Sequence, residues 1–374
     1  MRQARTLSIK PKLRADQIGS LLRPQKLKDA REAHEAGRLS TAELRMIENT
    51  CISEAVQLQE AAGLHAISDG DFRRSAFHVD FLTKIEGIVW RRRQFTTMFH
   101  GLEKDNSPLV FEVTHPIRHN RDIAVEDFNF LSTVTKRTAK VALPAPSFVH
   151  ARGGRDAIEP TVYPDLAEFY EDLAAAFRAE IAALANAGCR YVQLDEVHYT
   201  FFCDPKLVAM FTSRGDDPAD LALKYAKLIN DSFRDQPDMI SGVHLCRGNL
   251  RSRWLAAGSY EAVAERLFNE TRVDAFFLEY DTPRAGDFAP LRFMAKDKTV
   301  VLGLVSTKTP VLEDAEALRR RIDEAARHVP LERLALSPQC GFASTVGGNL
   351  LSIDDERRKL GLVVEVAQRI WGQE

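Results

Sequence analysis

At 374 residues, with 45% hydrophobic content and 51 basic against 53 acidic side chains for a net charge of -2, the chain has ample core material and no field suited to a polyanion. Nucleic acid is therefore excluded as an expected partner. The opening MRQARTLSIKPKLRADQIGS is basic but lacks the apolar core of a signal peptide, and no run approaches the roughly 20 apolar residues of a membrane span, so a soluble, cytoplasmic protein without membrane association is expected.

Taken in order, short apolar runs with polar or glycine-rich ends recur along the chain. They are ADQIGS (15–20), HAISDGD (65–71), KVALPAP (140–146), YVQLDE (191–196), ISGVHLC (240–246), AFFLEYD (275–281), TVVLGLVS (299–306) and RLALSPQC (333–340). Amphipathic helical segments lie between them, such as 166–188, where Gly188 is placed as a terminator, and 312–329, whose acids come early and bases late. Eight strands alternating with helices predict an α/β fold, a single parallel (β/α)8 TIM-type barrel forming one domain over 1–374. The length exceeds the roughly 250 residues of a minimal barrel. The surplus falls at about 84–135, where IVWRRRQFTTMF and PLVFEVTHPIRHNRDIAV alternate like antiparallel strands, a β-hairpin insertion after strand 2 that could cover the barrel mouth. Arg91, Arg92 and Arg93 on it suit an anionic substrate, or form an ordinary solvated edge.

In this fold the active site gathers at the carboxyl ends of the strands. There GVHLCRG (242–248) carries His244 and Cys246 two residues apart, which an extended strand points to one side. AFFLEY ends in Glu279, and LALSPQCG ends in Cys340. Imidazole, two thiolates and one carboxylate make a four-coordinate zinc set, and three nearby barrel strands would converge them. Singly, each has a plainer reading: a hydrogen-bonded rim histidine, small buried thiols, a helix-capping glutamate. Five cysteines, odd in number and scattered, do not read as a disulfide framework, and Cys51, Cys189 and Cys203 fall where structural thiols are expected.

Zinc with two thiolate ligands suits the activation of a substrate thiol. Among the other strand ends, Ser20 offers a hydroxyl and nearby backbone N–H groups to a carboxylate. Asp71 and Asp195 offer charge to an ammonium group. Asp71 can instead pair with Arg73 or Arg74, and Asp195 can instead orient the metal-binding histidine.

With HxC in GVHLCRG, the glutamate of FFLEYD and the cysteine of SPQCG, the chain resembles the catalytic, C-terminal barrel of cobalamin-independent methionine synthase, in a short single-barrel form. The resemblance runs from ADQIGS to SPQCG. It implies zinc held by His244, Cys246, Glu279 and Cys340, homocysteine held by Ser20, Asp71 and Asp195, and methyl transfer from a methylated folate to the homocysteine thiolate. Three departures fall mostly on the donor side. DGD stands where the full-length enzymes have HGE; LPAPSF, with Pro146, stands where they carry a stacking tryptophan; and STKTP, with Lys308, stands where they place a proton-donating histidine before Ser-Pro. Lys308 either supplies a proton or positive charge near the departing group or pairs with a rim carboxylate. Tyr199, Phe201 and Phe202 either replace the stacking surface or pack a loop.

The expected partners are thus a small thiol and a methyl donor, the latter free or brought by a methyl-carrier protein, and homo-oligomerisation is compatible with the sequence. Alternatives are a zinc alkyltransferase joining another thiol, such as coenzyme M, to an epoxide, a metal-free tetrapyrrole decarboxylase of the same superfamily, and a non-catalytic protein with structural zinc.

Overall fold

Alternation along a strand sorts its side chains into two faces, and in this chain both faces are buried. The computed structural model describes residues 13–92 and 109–372. Among them are nine strands: β1 Ala66–Ile67, β2 Glu86–Arg92, β3 Leu109–Arg118, β4 Thr138–Pro144, β5 Tyr191–Glu196, β6 Ile240–Leu245, β7 Ala275–Glu279, β8 Thr299–Val305 and β9 Leu334–Pro338. Seven form a parallel sheet in the order β1-β4-β5-β6-β7-β8-β9, and β2 pairs antiparallel with β3 in a separate hairpin.

The eighth stave is not a regular strand. Residues 14–21 bridge the two ends of the sheet: Asp16 N donates to Leu336 O at 3.0 Å, Leu336 N to Arg14 O at 2.8 Å, and Leu21 N to Gly70 O at 3.0 Å. Parallel bridges Ala15↔Leu336 and Ser20↔Gly70 close the ring. Gly19, at φ +140° and placed so that a Cβ on it would lie 2.9 Å from the Ala142 Cβ, interrupts the ladder between them. β1 is equally short because Gly70 and Asp71 both take positive φ.

The two faces build two cores. Val192, Leu194, Val243, Leu245, Phe276, Leu278, Val300, Leu302, Leu334 and Leu336 point outward into the large helix-packed cluster. Ile18, Ala66, Tyr191, Ile240, Ala275, Phe277, Val301 and Ala335 form a smaller cluster of their own, the barrel interior. Crossover helices such as Leu166–Asn186, Pro218–Ser232 and Ala315–Ala325 cover the outside. Asp165, Asp217 and Asp314 cap their first turns through side-chain oxygens. Among the described residues no helix is long and apolar enough to cross a membrane.

The expected insertion is present, but only its first part is a hairpin. Residues 125–134 form the helix Val125–Val134, which buries Phe128 and Leu131. Two residues per amphipathic turn over so short a span is a weak helical signal beside the preceding alternation. Of the arginine run, Arg91 is a largely exposed side chain 3.5 Å from Glu112 across the hairpin. Arg93 lies outside the described residues, as does the side chain of Arg92.

One ion pair sits inside the barrel. Lys140 Nζ lies 3.0 Å from Asp16 Oδ1, over the rings of Phe277 and Tyr191, and Tyr191 OH donates to Asp16 Oδ2 at 2.6 Å. Removing one partner strands the other charge in the interior. Lys140→Ala is therefore expected to cost about 3–5 kcal/mol of unfolding free energy, and the paired Lys140→Met/Asp16→Leu replacement much less. Denaturant unfolding followed by circular dichroism measures both, and a single-variant cost no larger than that of the double variant would overturn the assignment.

Candidate metal centre and substrate cavity

Parallel register sets the site. Asp195 on β5 pairs with His244 on β6, and His244 with Phe277 on β7, so the inward side chains of these strands stand level. His244 Nδ1 lies 3.1 Å from Asp195 Oδ1, and Gln193 Nε2 donates to the same oxygen at 2.7 Å. With Nδ1–H donated to the carboxylate, Nε2 is the nitrogen left to act as a ligand; it lies 3.2 Å from Gln339 O. Cys246, two residues past His244, brings its Sγ to 3.3 Å from Cys340 Sγ, with both thiols free of disulfides. The donor atoms of His244, Cys246 and Cys340 all lie within 4.8 Å of one another, and all three residues are buried.

The protonation of this group follows from its contacts. The hydrogen bond from Cys246 holds the Cys340 thiol below its usual range, assisted by His244 and by the charge of Lys308, while the same bond raises Cys246. Burial opposes a charge on His244, but its bonds to Asp195 and Cys340 prevail and raise it to about 10. An imidazole and two sulfurs, one already favoured as thiolate, make up the donor chemistry that zinc prefers. The cluster is consistent with a zinc site.

Glu279 is fully buried and is not one of the clustered donors. It stands on the inner face two residues beyond Phe277, and its carboxylate accepts from Arg247 N at 3.0 Å and from the Arg284 guanidinium. Burial would raise its pKa; the charges of Lys308, Arg284 and Arg247 outweigh burial and hold it below the usual value. Lys308 Nζ donates to Gly248 O at 3.3 Å and to Asn249 Oδ1 at 3.4 Å, both in the loop after β6. It thus braces that loop through neutral oxygens.

Ser20, Asp71, Asp195, His244, Cys246 and Cys340 all line one cavity of about 330 Å³, whereas Glu279 and Lys308 do not. Ser20 Oγ approaches the Cys340 loop so closely that a Cβ on Gly341 would lie 2.0 Å from it. Asp71 pairs with Arg74 at 3.1 Å, while Arg73 turns away to Asp127 at 2.8 Å. Burial raises the Asp71 carboxyl from 3.8 to about 6 against the pull of Arg74. Asp71 is thus both paired and on the cavity wall.

The aromatic wall differs from the expected one. Phe201 lines the cavity, but Tyr199 and Phe202 do not: Tyr199 OH bonds Ala222 O, and Phe202 stacks on Tyr225 in the core. Phe148, two residues past Pro146, lines it with Phe77, His78 and Trp90. Trp90 comes from β2, so the hairpin does reach the barrel mouth. Its strand period gave a usable signal, since Ile88 and Trp90 share the face opposite Arg91. Phe77 and His78 lie in a turn and Phe148 opens the four-residue helix Phe148–Ala151, segments too short for a period to predict their orientation.

Comparison with known proteins agrees with this architecture. The model of the family described as "Cobalamin-independent synthase, Catalytic domain" matches residues 13–369. The uncharacterized protein YxjH of Bacillus subtilis is 40% identical over 365 residues, covering 97% of this chain and 96% of its own. A methionine synthase of Saccharolobus solfataricus is 23% identical over 338 residues, 89% of each chain. Among solved structures, a Listeria monocytogenes protein provisionally assigned as a vitamin-B12-independent methionine synthase is 36% identical with a TM-score of 0.75, covering 96% of this chain and 98% of that one. A B12-independent methionine synthase of Shewanella sp. W3-18-1, solved in complex with selenomethionine, shares the fold at 21% identity and a TM-score of 0.70, covering 96% and 97%. The match across nearly the whole chain, joined to a His-Cys-Cys cluster at the carboxyl ends of the barrel strands, makes this protein a member of the cobalamin-independent methionine synthase catalytic-domain family.

Proposed function

We propose that the protein is a zinc-dependent S-methyltransferase that alkylates homocysteine thiolate, giving methionine. The observation that carries the reading is the buried His244, Cys246 and Cys340 cluster opening on a cavity that also presents Ser20, Asp71 and Asp195. The methionine synthase of Saccharolobus solfataricus, at 23% identity, supports it.

His244 Nε2, Cys246 Sγ and Cys340 Sγ would hold the metal, with Glu279 as the exchangeable fourth ligand. Zinc bound there would supply the Lewis acidity that keeps a substrate thiol deprotonated at neutral pH. The remaining work falls to the chain itself. Asp71 receives the substrate ammonium, Ser20 Oγ donates to its carboxylate, and Asp195 fixes the tautomer and aim of His244. The substrate sulfur attacks the methyl carbon in line, forming the S–C bond as the bond from carbon to the leaving group breaks and its electron pair departs with that group. Alignment inside the cavity supplies most of the acceleration. Lys308, outside the cavity wall, acts by charge and by bracing the 248–249 loop. The two carboxylates on the wall favour an amino-acid thiol over a sulfonate such as coenzyme M.

Cys340→Ala is expected to lose both stoichiometric zinc, read by metal analysis, and thiol methylation. A zinc-free variant with full activity would end the reading.

Asp71 gives a pH signature. Its carboxyl ionises near 6 in the folded chain, beside Arg74, Arg23, Asp69 and Asp195, so the KM for homocysteine should fall as pH rises through about 6 and level off above. Asp71→Asn should flatten that profile at a high KM. The stability contribution has the opposite direction: with the folded pKa raised above 3.8, the folded state holds the extra proton between about 4 and 6, and stability falls as pH climbs through that window.

Arg284 holds Glu279 away from the cluster, so freeing the carboxylate should strengthen metal binding. Arg284→Met is expected to retain zinc on the order of tenfold more tightly against a chelator. The gain should vanish in a Glu279→Gln background, and a gain that persists there would refute the assignment of Glu279 as fourth ligand.

A further inference from the structure

One buried guanidinium grips three of the segments that build the cavity wall. Arg23 stands just past Ser20 on the closing stave, is only 3% exposed and does not itself line the cavity. Its Nη1 donates to Ala343 O at 2.6 Å and to Leu21 O at 3.3 Å, and its Nη2 to Asp71 O at 2.7 Å and to Arg74 O at 3.1 Å. These bonds use up the N–H groups at both tips of the fork. A lysine ammonium has one donor fewer and no fixed plane, so it cannot reproduce them. Every acceptor is a backbone carbonyl, so the group fixes the course of the chain rather than a side chain. Burial lowers its pKa to about 10 against the charge of Asp71, which leaves it a cation at neutral pH.

The grip falls where the backbone is strained. Gly70 and Asp71 take φ of +71° and +58°, and the second carries a side chain in a region that L residues seldom occupy. Such a conformation persists only where its surroundings over-determine it. Here Asp69 Oδ1 accepts from Asp71 N at 3.0 Å, the Arg31 guanidinium takes Phe72 O, and Arg23 takes the carbonyls of Asp71 and Arg74. The other tip of the fork holds Ala343, just past Cys340. Beyond these points the two loops are zipped together. Phe77 N donates to Ser344 O at 3.2 Å and Val346 N to Ser75 O at 3.0 Å, around the bridge Ala76↔Thr345. Arg23 is thus the pin of a clasp with Asp71 on one arm and Cys340 on the other. The charged groups facing Asp71 are Arg74, Asp69, Arg23 and Asp195. Those facing Arg23 include Arg31 and Glu356, the latter on the helix Ile353–Trp371, where its carboxylate accepts from Leu22 N at 2.8 Å.

We propose that Arg23 is a positioning residue for the amino-acid substrate: by tying the backbone of Asp71 to that of Ala343, it fixes the spacing between the carboxylate that receives the ammonium group and the His244, Cys246 and Cys340 cluster at which the thiol binds. The cavity's selectivity for a thiol with an amino group at that spacing comes from this clasp. The substrate part rests on the thiol-alkylation reading, with Asp71 as its ammonium site; the clasp itself does not.

Two thiols separate positioning from general stability: homocysteine, and 4-sulfanylbutanoate, the same chain without the amino group. Their dissociation constants are read from the spectral response of the cobalt-substituted full chain across the Asp71 titration. The wild type should bind homocysteine about tenfold more tightly than the amine-free thiol. Arg23→Lys and Arg23→Met should each weaken homocysteine about tenfold and leave 4-sulfanylbutanoate within about threefold, with metal content unchanged. Arg23→Met, which removes the charge, should also move the pH midpoint of homocysteine affinity above 6, because Arg23 is one of the charges that hold the Asp71 carboxyl down; Arg23→Lys should leave it near 6. Arg23→Lys keeps the buried charge and carries the test if Arg23→Met does not fold. Hydrogen exchange read by mass spectrometry reports the clasp without any ligand: residues 71–78 and 342–349 should exchange about tenfold faster in Arg23→Lys, and the helix Ile353–Trp371 at its wild-type rate. Equal losses for both thiols, or unchanged affinities, would overturn the positioning role, and unchanged exchange in both loops would overturn the clasp. A wild type indifferent to the amino group would instead defeat Asp71 as the ammonium site and the substrate part of the proposal with it, leaving the clasp to stand or fall by the exchange rates.

Discussion

The hydrogen bond between Asp195 Oδ1 and His244 Nδ1 ties the barrel to its chemistry. It exists because β5 and β6 pair in a register that sets these two residues side by side on the inner face. A slip of one residue would send His244 into the helix layer with Val243 and Leu245. Gln193, one step down the same face, braces the shared oxygen and bonds Ile18 O as well, so the closing stave supports the carboxylate that aims the histidine. Cys246 follows from His244 by the strand period, and Cys340 arrives two residues past the end of β9, whose register shifts against β8 between Gly303 and Val305. A Cβ on Gly303 would sit 2.7 Å from Gln339 Cα, so the glycine permits that approach.

Charge is layered around this cluster. The carboxylates of Asp71 and Asp195 are on the cavity wall, while Arg247, Arg284 and Lys308 are not, yet all three act on Glu279. Arg247 is fully buried, its guanidinium 4.5 Å from the centre of the Tyr260 ring. Its position is held by the ring and by the Glu279 contact with its backbone N–H. Two arginines and a lysine against one carboxylate keep Glu279 ionised in a place where burial alone would protonate it. An ionised carboxylate can move between cations and a metal without a proton being gained or lost.

Much of this was legible in the sequence because the strand period survives translation into space. All eight staves, the His-x-Cys pair, and the convergence of β6 and β9 follow from alternation plus the rule that barrel sites form at strand ends. The first stave was legible as a segment but not as two isolated bridges, since its break depends on how closely Gly19 approaches Ala142. The helix Val125–Val134 was masked by the alternating pattern just before it. Periodicity also placed Glu279 on the inner face but could not tell a ligand from a partner of Arg284, which lies only five residues on along a turn of irregular backbone. His78, Phe77 and Phe148 escaped for a related reason: the first two stand in a turn and the third opens the single-turn helix Phe148–Ala151, where side-chain direction is set by tertiary contact.

The division between barrel and hairpin has a functional consequence. Every residue assigned to the thiol end comes from a stave or the loop directly after one, elements held by neighbours on both sides. Trp90 comes from a two-stranded ribbon outside the sheet, where it packs on Phe111 of the partner strand and meets the barrel mouth through the ring of His78, which in turn lies against Phe148. Substitutions in such a ribbon alter one wall of the cavity without disturbing the register that aligns Asp195, His244 and Phe277. The thiol end is therefore constrained by the same hydrogen bonds that hold the sheet, whereas the aromatic end is held by side-chain packing. A barrel organised in this way can vary one wall of its cavity through the hairpin while the strand register, and with it the His244, Cys246 and Cys340 cluster, stays fixed.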